Sequence, residues 1–352
     1  MFRAPWKHIV LNLASLLLLL LGMNLLYTRF FFEQDLQEYS PLINLVRDVP
    51  LEADIIYLGE SSNNAHREDD LDPRKISEFI ADYYPGLDLY DLTKPAAHAG
   101  IFKVLLEQMP EESEVETVIV TLNLRSFNAQ WIHSPLETSL QKSLVLLKPY
   151  PPLVNRLLLS FKAYEIKTKE ERERDFIRQW ERDKLDFPYE FPHENVRLWD
   201  RWMAYEGFRD DSGEINQALT ELACHYIKAY GFQIDTLQNP RIADFNAMVE
   251  LARERGWNLV FNLMAENVEK AAQLVGEDLI FLMNENRELL KSYYGSRGVC
   301  VVDNLSAVED ALFIDQDWTT EHYAEQGRKI VARRVAAALK NWYGDEYRDT
   351  GY

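Results

Sequence analysis

Cysteine is nearly absent from this chain of 352 residues: only Cys224 and Cys300 occur. Two are too few for a disulfide framework. They read either as one bridge or as two buried free thiols. No paired-cysteine pattern and no His-Glu-x-x-His is present, which argues against zinc. A Gly-x-x-x-x-Gly-Lys-Ser/Thr loop and a Gly-x-Gly-x-x-Gly fingerprint are missing too, so no nucleotide cofactor is expected. There is also no Gly-x-Ser-x-Gly elbow, because Asn63 stands where the second glycine would be. Basic residues are in the minority, 38 Lys+Arg against 57 Asp+Glu, for a net charge of -19. Phosphate recognition needs a basic face, so nucleic acid is excluded as a partner. Histidine is scarce, with 7 in all. A histidine beside other polar residues therefore carries weight.

What the chain does have is one long apolar run, residues 9–27, broken only by Asn12, Ser15, Gly22 and Asn24. About 20 apolar residues cross a bilayer. Arg3 and Lys7 precede the run; only Arg29 follows it closely before Glu33, Asp35 and Glu38. That asymmetry predicts a cytoplasmic N-terminus, with everything after residue 30 outside the cytoplasm. Residues 25–30 are bulky and offer no small-x-small cleavage site, which favours an uncleaved anchor over a signal peptide. The expected organisation is an anchor over residues 1–32, touching lipid through 8–28, and one domain over 33–352.

Five short apolar runs, 55–58, 87–92, 117–122, 258–263 and 299–302, read as buried parallel strands. Such runs lack alternation because helices cover both sheet faces. Asp72-Pro73 predicts a helix over 74–84, and Asn239-Pro240 one over 241–255 closed by Gly256. The alternation predicts a three-layer α/β/α, flavodoxin-like parallel sheet. Residues 133–238 break the rhythm. They read as a helical insertion, with a charged helix over 161–185 whose run 167–174 is a solvated face. Aromatic residues around 186–205 read as packing, with a carbohydrate platform as the alternative.

Ligands bind beyond the carboxyl ends of parallel strands. The first strand delivers Gly59-Glu60-Ser61-Ser62-Asn63. The second is followed by His98, Ala99 and Gly100, and the third by Asn123 through Asn128. The last leads to Asp315-Gln316-Asp317-Trp318-Thr319-Thr320-Glu321-His322. A serine becomes a nucleophile when a histidine takes its proton and a carboxylate orients that histidine. Ser61 and His322 are the candidates, with Ser62 as the other serine. Asp317 is favoured as the orienting acid, and Asp315 and Glu321 remain open. The plain reading is that Ser61 and His322 each cap a helix and that His98 is a loop residue.

These blocks resemble the SGNH/GDSL hydrolase superfamily over roughly residues 50–130 and 255–343. Its pattern is Gly-Asp-Ser, then Gly, then Gly-x-Asn-Asp, then Asp-x-x-His. Carried over, the resemblance implies Ser61 as nucleophile, His322 as base, and Gly100 and Asn123 as oxyanion donors beside the serine N–H. The chain departs from the pattern in three places. Glu60 replaces the Asp. The third block lacks Gly-x-Asn-Asp, so Asn128 competes with Asn123. Asp317 lies five residues before His322 rather than three. Within the superfamily the chain resembles the anchored envelope branch, which includes the DltD proteins of teichoic-acid D-alanylation and the alginate O-acetylation proteins. That resemblance implies an extracytoplasmic acyl esterase or O-acyltransferase on an envelope glycan or other ester substrate, partnered in this branch by a membrane-bound O-acyltransferase. A non-catalytic accessory protein is the alternative, and a glycan-binding module built on the aromatic insertion is a third reading.

Overall fold

A computed structural model describes residues 6–135, 142–162, 167–183 and 185–352. Five strands form one parallel sheet: β1 (Ile55–Gly59), β2 (Leu89–Thr93), β3 (Thr117–Leu122), β4 (Asn258–Leu263) and β5 (Cys300–Asp303). Their order is β2-β1-β3-β4-β5, the flavodoxin type of doubly wound sheet, and every pairing is parallel. The chain is therefore an α/β protein of the expected class.

The sheet divides its side chains by parity. Ile55, Tyr57, Ile119 and Val260 join a core with helices Ile76–Asp82 and Glu325–Tyr343. On the opposite face Phe261 meets Phe245 of helix Pro240–Arg255 and Tyr294 of helix Glu277–Gly295. β1 and β3 are buried at every position, which is why they read as unbroken apolar runs. Each such Ile or Leu contributes roughly 1.5–3 kcal/mol by leaving water. The two edge strands are only partly covered, and the sequence-based bounds slip there. Leu87 belongs to the turn before β2, giving its N–H to Tyr84, and Val299 still bonds back to Tyr294.

Helix Pro240–Arg255 follows the expected signals: the Asn239 side chain accepts from the Arg241 N–H, and Gly256 ends the helix at φ 74°. Asp72 does not open a helix. It accepts from the N–H and guanidinium of Arg74, and the helix begins at Ile76 with Glu78 bonding back to the Lys75 N–H. In the charged segment the helix runs Lys169–Arg182; residues 163–166 and 184 of the expected helix lie outside the described residues. Among the described residues no strand interrupts the stretch from β3 to β4. Phe187, Tyr189, Phe191 and Phe281 pack on one another, as do His193, Trp199 and Trp202.

The chain forms two compact units, Met1–Asp48 with Pro135–Lys169, and Val49–Ser134 with Glu170–Tyr352. This differs from the expected single body beginning at residue 33. In the first unit helix Trp6–Phe30 leads into short helices Phe32–Tyr39 and Pro41–Arg47. Leu36 packs with Val145, Leu146 and Leu159, so this part of the insertion shares a core with the N-terminal helices. Residues His8–Phe30 form one helix long and apolar enough to cross a membrane. Arg3, which helped set the expected orientation, lies outside the described residues.

The second unit holds the sheet. Cys224 and Cys300 are both free thiols.

Candidate active site

The first strand ends in a turn with no room for a side chain. A Cβ on Gly59 would come within 2.9 Å of the Tyr57 ring and 3.0 Å of Thr93 Oγ1. The chain then enters a single helical turn, Ser61–Asn64. Asn63 pins that turn: its Oδ1 accepts the Ser77 N–H at 2.9 Å, and its Nδ2 donates to Thr93 Oγ1 at 2.7 Å. The side chain placed where an elbow would need glycine is thus a tether between the turn and its neighbours. Ser61 is left half-buried, with its hydroxyl toward the C-terminal segment.

That segment is a closed loop. Phe313 and Tyr323 pair as an antiparallel bridge, and the Ile314 N–H donates to the His322 carbonyl at 2.9 Å. Ile314 and His322 therefore face each other just inside the stem, and the side chain of the next residue, Asp315, reaches back to the His322 ring. His322 Nδ1 lies 2.8 Å from Asp315 Oδ2, and His322 Nε2 lies 2.9 Å from Ser61 Oγ. With Nδ1–H donating to the carboxylate, Nε2 presents its lone pair to the serine hydroxyl. Thr320 Oγ1 donates to the same Asp315 oxygen at 2.6 Å.

Of the candidate acids it is Asp315, and not the favoured Asp317, that lies against His322. Asp317 lies beyond the stem of the loop, is exposed, and makes no hydrogen bond to His322. Glu321 is excluded for another reason: its carboxylate turns inward to Arg125. The two expected oxyanion donors have hydrogen-bond partners of their own. Gly100 gives its N–H to His98 Nδ1 at 3.2 Å, because His98 caps helix Ala99–Glu107. Burial drives the His98 ring down to about 2, so it stays neutral. Asn123 is buried and gives one Nδ2 hydrogen to Glu60 Oε1 at 2.9 Å. Asn128 caps the short helix Ala129–Ile132 and donates to the Ala229 carbonyl.

Sequence reasoning missed what lies behind Ser61 and His322. Each is preceded by a glutamate that points into the protein. Glu60 meets Asn123, and Glu321 meets Arg125 in a two-pronged ion pair at 2.7 and 3.0 Å. Asn123 and Arg125 both belong to the short segment after β3. One crosspiece thus braces the serine side and the histidine side together. Glu266, after β4, accepts from Tyr230 Oη at 2.5 Å. Glu60, Glu266 and Glu321 are all buried, with one arginine among them. Burial, and then the charge of Glu321, push Glu60 up to about 8. The same two causes raise Glu266 well above the carboxylate range. Only the adjacency of Glu60 to Ser61 and Glu321 to His322 hinted at this arrangement.

Arg328 was also missed as a structural residue. It is fully buried. It donates to the carbonyls of Ala65, Asp72, Arg74 and Tyr323 and to Asp70 Oδ2, at 2.7–3.1 Å. It ties the loop after Ser61 to the helix after His322.

Among the described residues no group of three or more His, Cys, Asp or Glu is arranged to hold a metal ion. No family model and no curated protein matches the sequence. Among solved structures the chain is similar to a catalytic mutant of an acetylxylan esterase from Geobacillus stearothermophilus. The identity is 9% and the TM-score 0.38, over 82% of this chain and 94% of that one. It is also similar to a lipase/acylhydrolase from Enterococcus faecalis, at 8% identity and TM-score 0.35, over 82% and 96%. A GDSL-like lipase from Bacteroides thetaiotaomicron gives 8% and 0.32, over 88% and 98%.

Proposed function

We propose that this chain is a membrane-tethered serine acyl esterase or O-acyltransferase that acts through Ser61, His322 and Asp315. The observation that carries the reading is the position of His322 between the other two, 2.9 Å from the serine and 2.8 Å from the acid. In the proposed reaction Ser61 Oγ attacks an ester or thioester carbonyl while its proton passes to His322 Nε2. Asp315 steadies the imidazolium through Nδ1–H, as the acid of such a triad does. The tetrahedral oxyanion is met by the Ser61 N–H, which the first helical turn leaves without an intrahelical partner, and by the second Nδ2 hydrogen of Asn123. Collapse returns the proton to the leaving group. Water or a sugar hydroxyl, deprotonated by the same histidine, then attacks the acyl-enzyme.

An envelope glycan is the proposed acceptor class. Trp318 supports it: the ring lies four residues before His322, is 49% exposed, and rests on His225 with ring centroids 4.0 Å apart. A fixed, half-open aromatic face is what a sugar ring stacks on. The anchor is proposed to run through His8–Phe30, with the N-terminus in the cytoplasm and the sheet unit outside. A membrane-bound O-acyltransferase is the proposed partner. The accessory reading draws on one observation, the Gly100 N–H already given to His98.

A fluorophosphonate probe on the full chain tests the proposal. Labelling at Ser61 is expected, lost in Ser61→Ala and His322→Ala and much slowed in Asp315→Asn. A folded chain that takes no label at Ser61 would favour the accessory reading.

A further inference from the structure

Helix Pro152–Ser160 presents two contrasting faces. Asn155 and Leu159 are buried, and Leu159 joins Leu36, Val145 and Leu146 in a small core. The outward side carries Val154 and Leu157, 41% and 50% exposed, continued by Tyr150 at 54% and Phe161 at 79%. Val154 and Leu157, three residues apart, share one face of the helix, and Tyr150 and Phe161 flank it at its two ends. Among the described residues these four side chains remain exposed.

The charge of this segment is unlike the rest. Residues 142–162 contain Lys142, Lys148, Arg156 and Lys162 and no acidic residue, in a chain of net charge -19. Arg156 pairs with Asp35 and stacks on Tyr39. Lys162 is exposed.

Its depth is fixed by one hydrogen bond. The Leu153 N–H donates to Asn24 Oδ1 at 3.0 Å. That N–H is in the first turn, where the helix itself supplies no acceptor. Asn24 lies inside the apolar helix His8–Phe30, six residues or about 9 Å before its end. An amphipathic helix in a membrane interface buries its apolar face by about 5–10 Å and favours basic residues beside anionic lipid.

We propose that residues 148–162 are a second membrane-contacting element, lying in the interface of an anionic bilayer with Tyr150, Val154, Leu157 and Phe161 among the acyl chains. This rests on the anchor reading above. The tethered chain then touches the membrane at two places rather than one, and lipid composition becomes a variable of its behaviour.

The test uses the full chain with Cys224 and Cys300 replaced by Ala, in vesicles of phosphatidylethanolamine and phosphatidylglycerol. A nitroxide is placed in turn at Leu157→Cys, at Leu18→Cys in the anchor, and at Leu237→Cys, where the parent residue is 93% exposed. Relaxation by oxygen is compared with relaxation by a water-soluble nickel chelate. The oxygen-to-nickel ratio at 157 is expected to exceed that at 237 several-fold and to approach that at 18. A ratio at 157 equal to that at 237, with 18 lipid-like, overturns the inference and leaves the anchor standing. Shielding of 157 from both reagents overturns it too, because the occupant is then protein. A water-like ratio at 18 removes the anchor and the inference with it.

Discussion

Asp315 and Asp317 differ by two positions, and the difference decides which one holds His322. Replacing Asp315 by Asn keeps the shape but no longer holds the Nδ1–H tautomer. The kcat on an aryl acetate is expected to fall about 10⁴-fold, the scale seen when a triad acid becomes an amide. Asp317→Asn, at an exposed position, is expected to leave kcat and KM unchanged. Equal losses in the two variants would remove Asp315 from the triad. Trp318→Ala is expected to raise KM for an acetylated oligosaccharide and leave KM for the aryl acetate alone. A parallel rise on both would deny the ring a sugar contact.

At the scale of elements the site depends on braces rather than on the loops alone. Arg328 joins the loop after Ser61 to the helix after His322, and its removal leaves four backbone carbonyls and Asp70 without their donor. Arg328→Met is expected to cost about 3–5 kcal/mol, read from urea unfolding. Arg125→Lys keeps one charge opposite Glu321 but loses the fork. It is expected to lower kcat more than KM, because the His322 loop loses its fixed position while the binding surface stays. These braces explain what the sequence makes legible. Strands β3 and β4 read correctly to the residue because continuous burial leaves an unbroken apolar signal. Ser61, expected at the end of the first such signal, and His322 lie 2.9 Å apart in the fold. Asp315 was not favoured, because its pairing with His322 comes from the bridge between Phe313 and Tyr323, and a cross-loop pairing leaves no mark in spacing along the chain. The partner of Gly100 was hidden for a similar reason: His98, two residues earlier, caps the helix and accepts its N–H. Arg125 and Arg328 have ordinary surface compositions; only the fold buries them.

The molecule as a whole keeps neutral acids inside a strongly acidic exterior. Glu60 has an ordinary value of 4.5 and is raised by burial and by Glu321 to about 8. Between those values the folded chain holds a proton that the unfolded chain has released. Its contribution is intact below about pH 4.5 and is lost as pH rises to about 8. Glu266 acts in the same direction. Thermal stability is therefore expected to fall from pH 5.5 to pH 8.5. Glu60→Gln is expected to recover on the order of a few kcal/mol at pH 8.5 and little at pH 5. An unchanged slope in the variant would mean that Glu60 does not titrate in this window.

Ser61 and His322 stand 261 residues apart along the chain. At roughly 5–20 residues per second, synthesis delivers the histidine about 13–50 s after the serine. For that interval the serine is an ordinary alcohol. In the proposed triad the serine therefore has no base until the segment after β5 has been made and has folded back on β1.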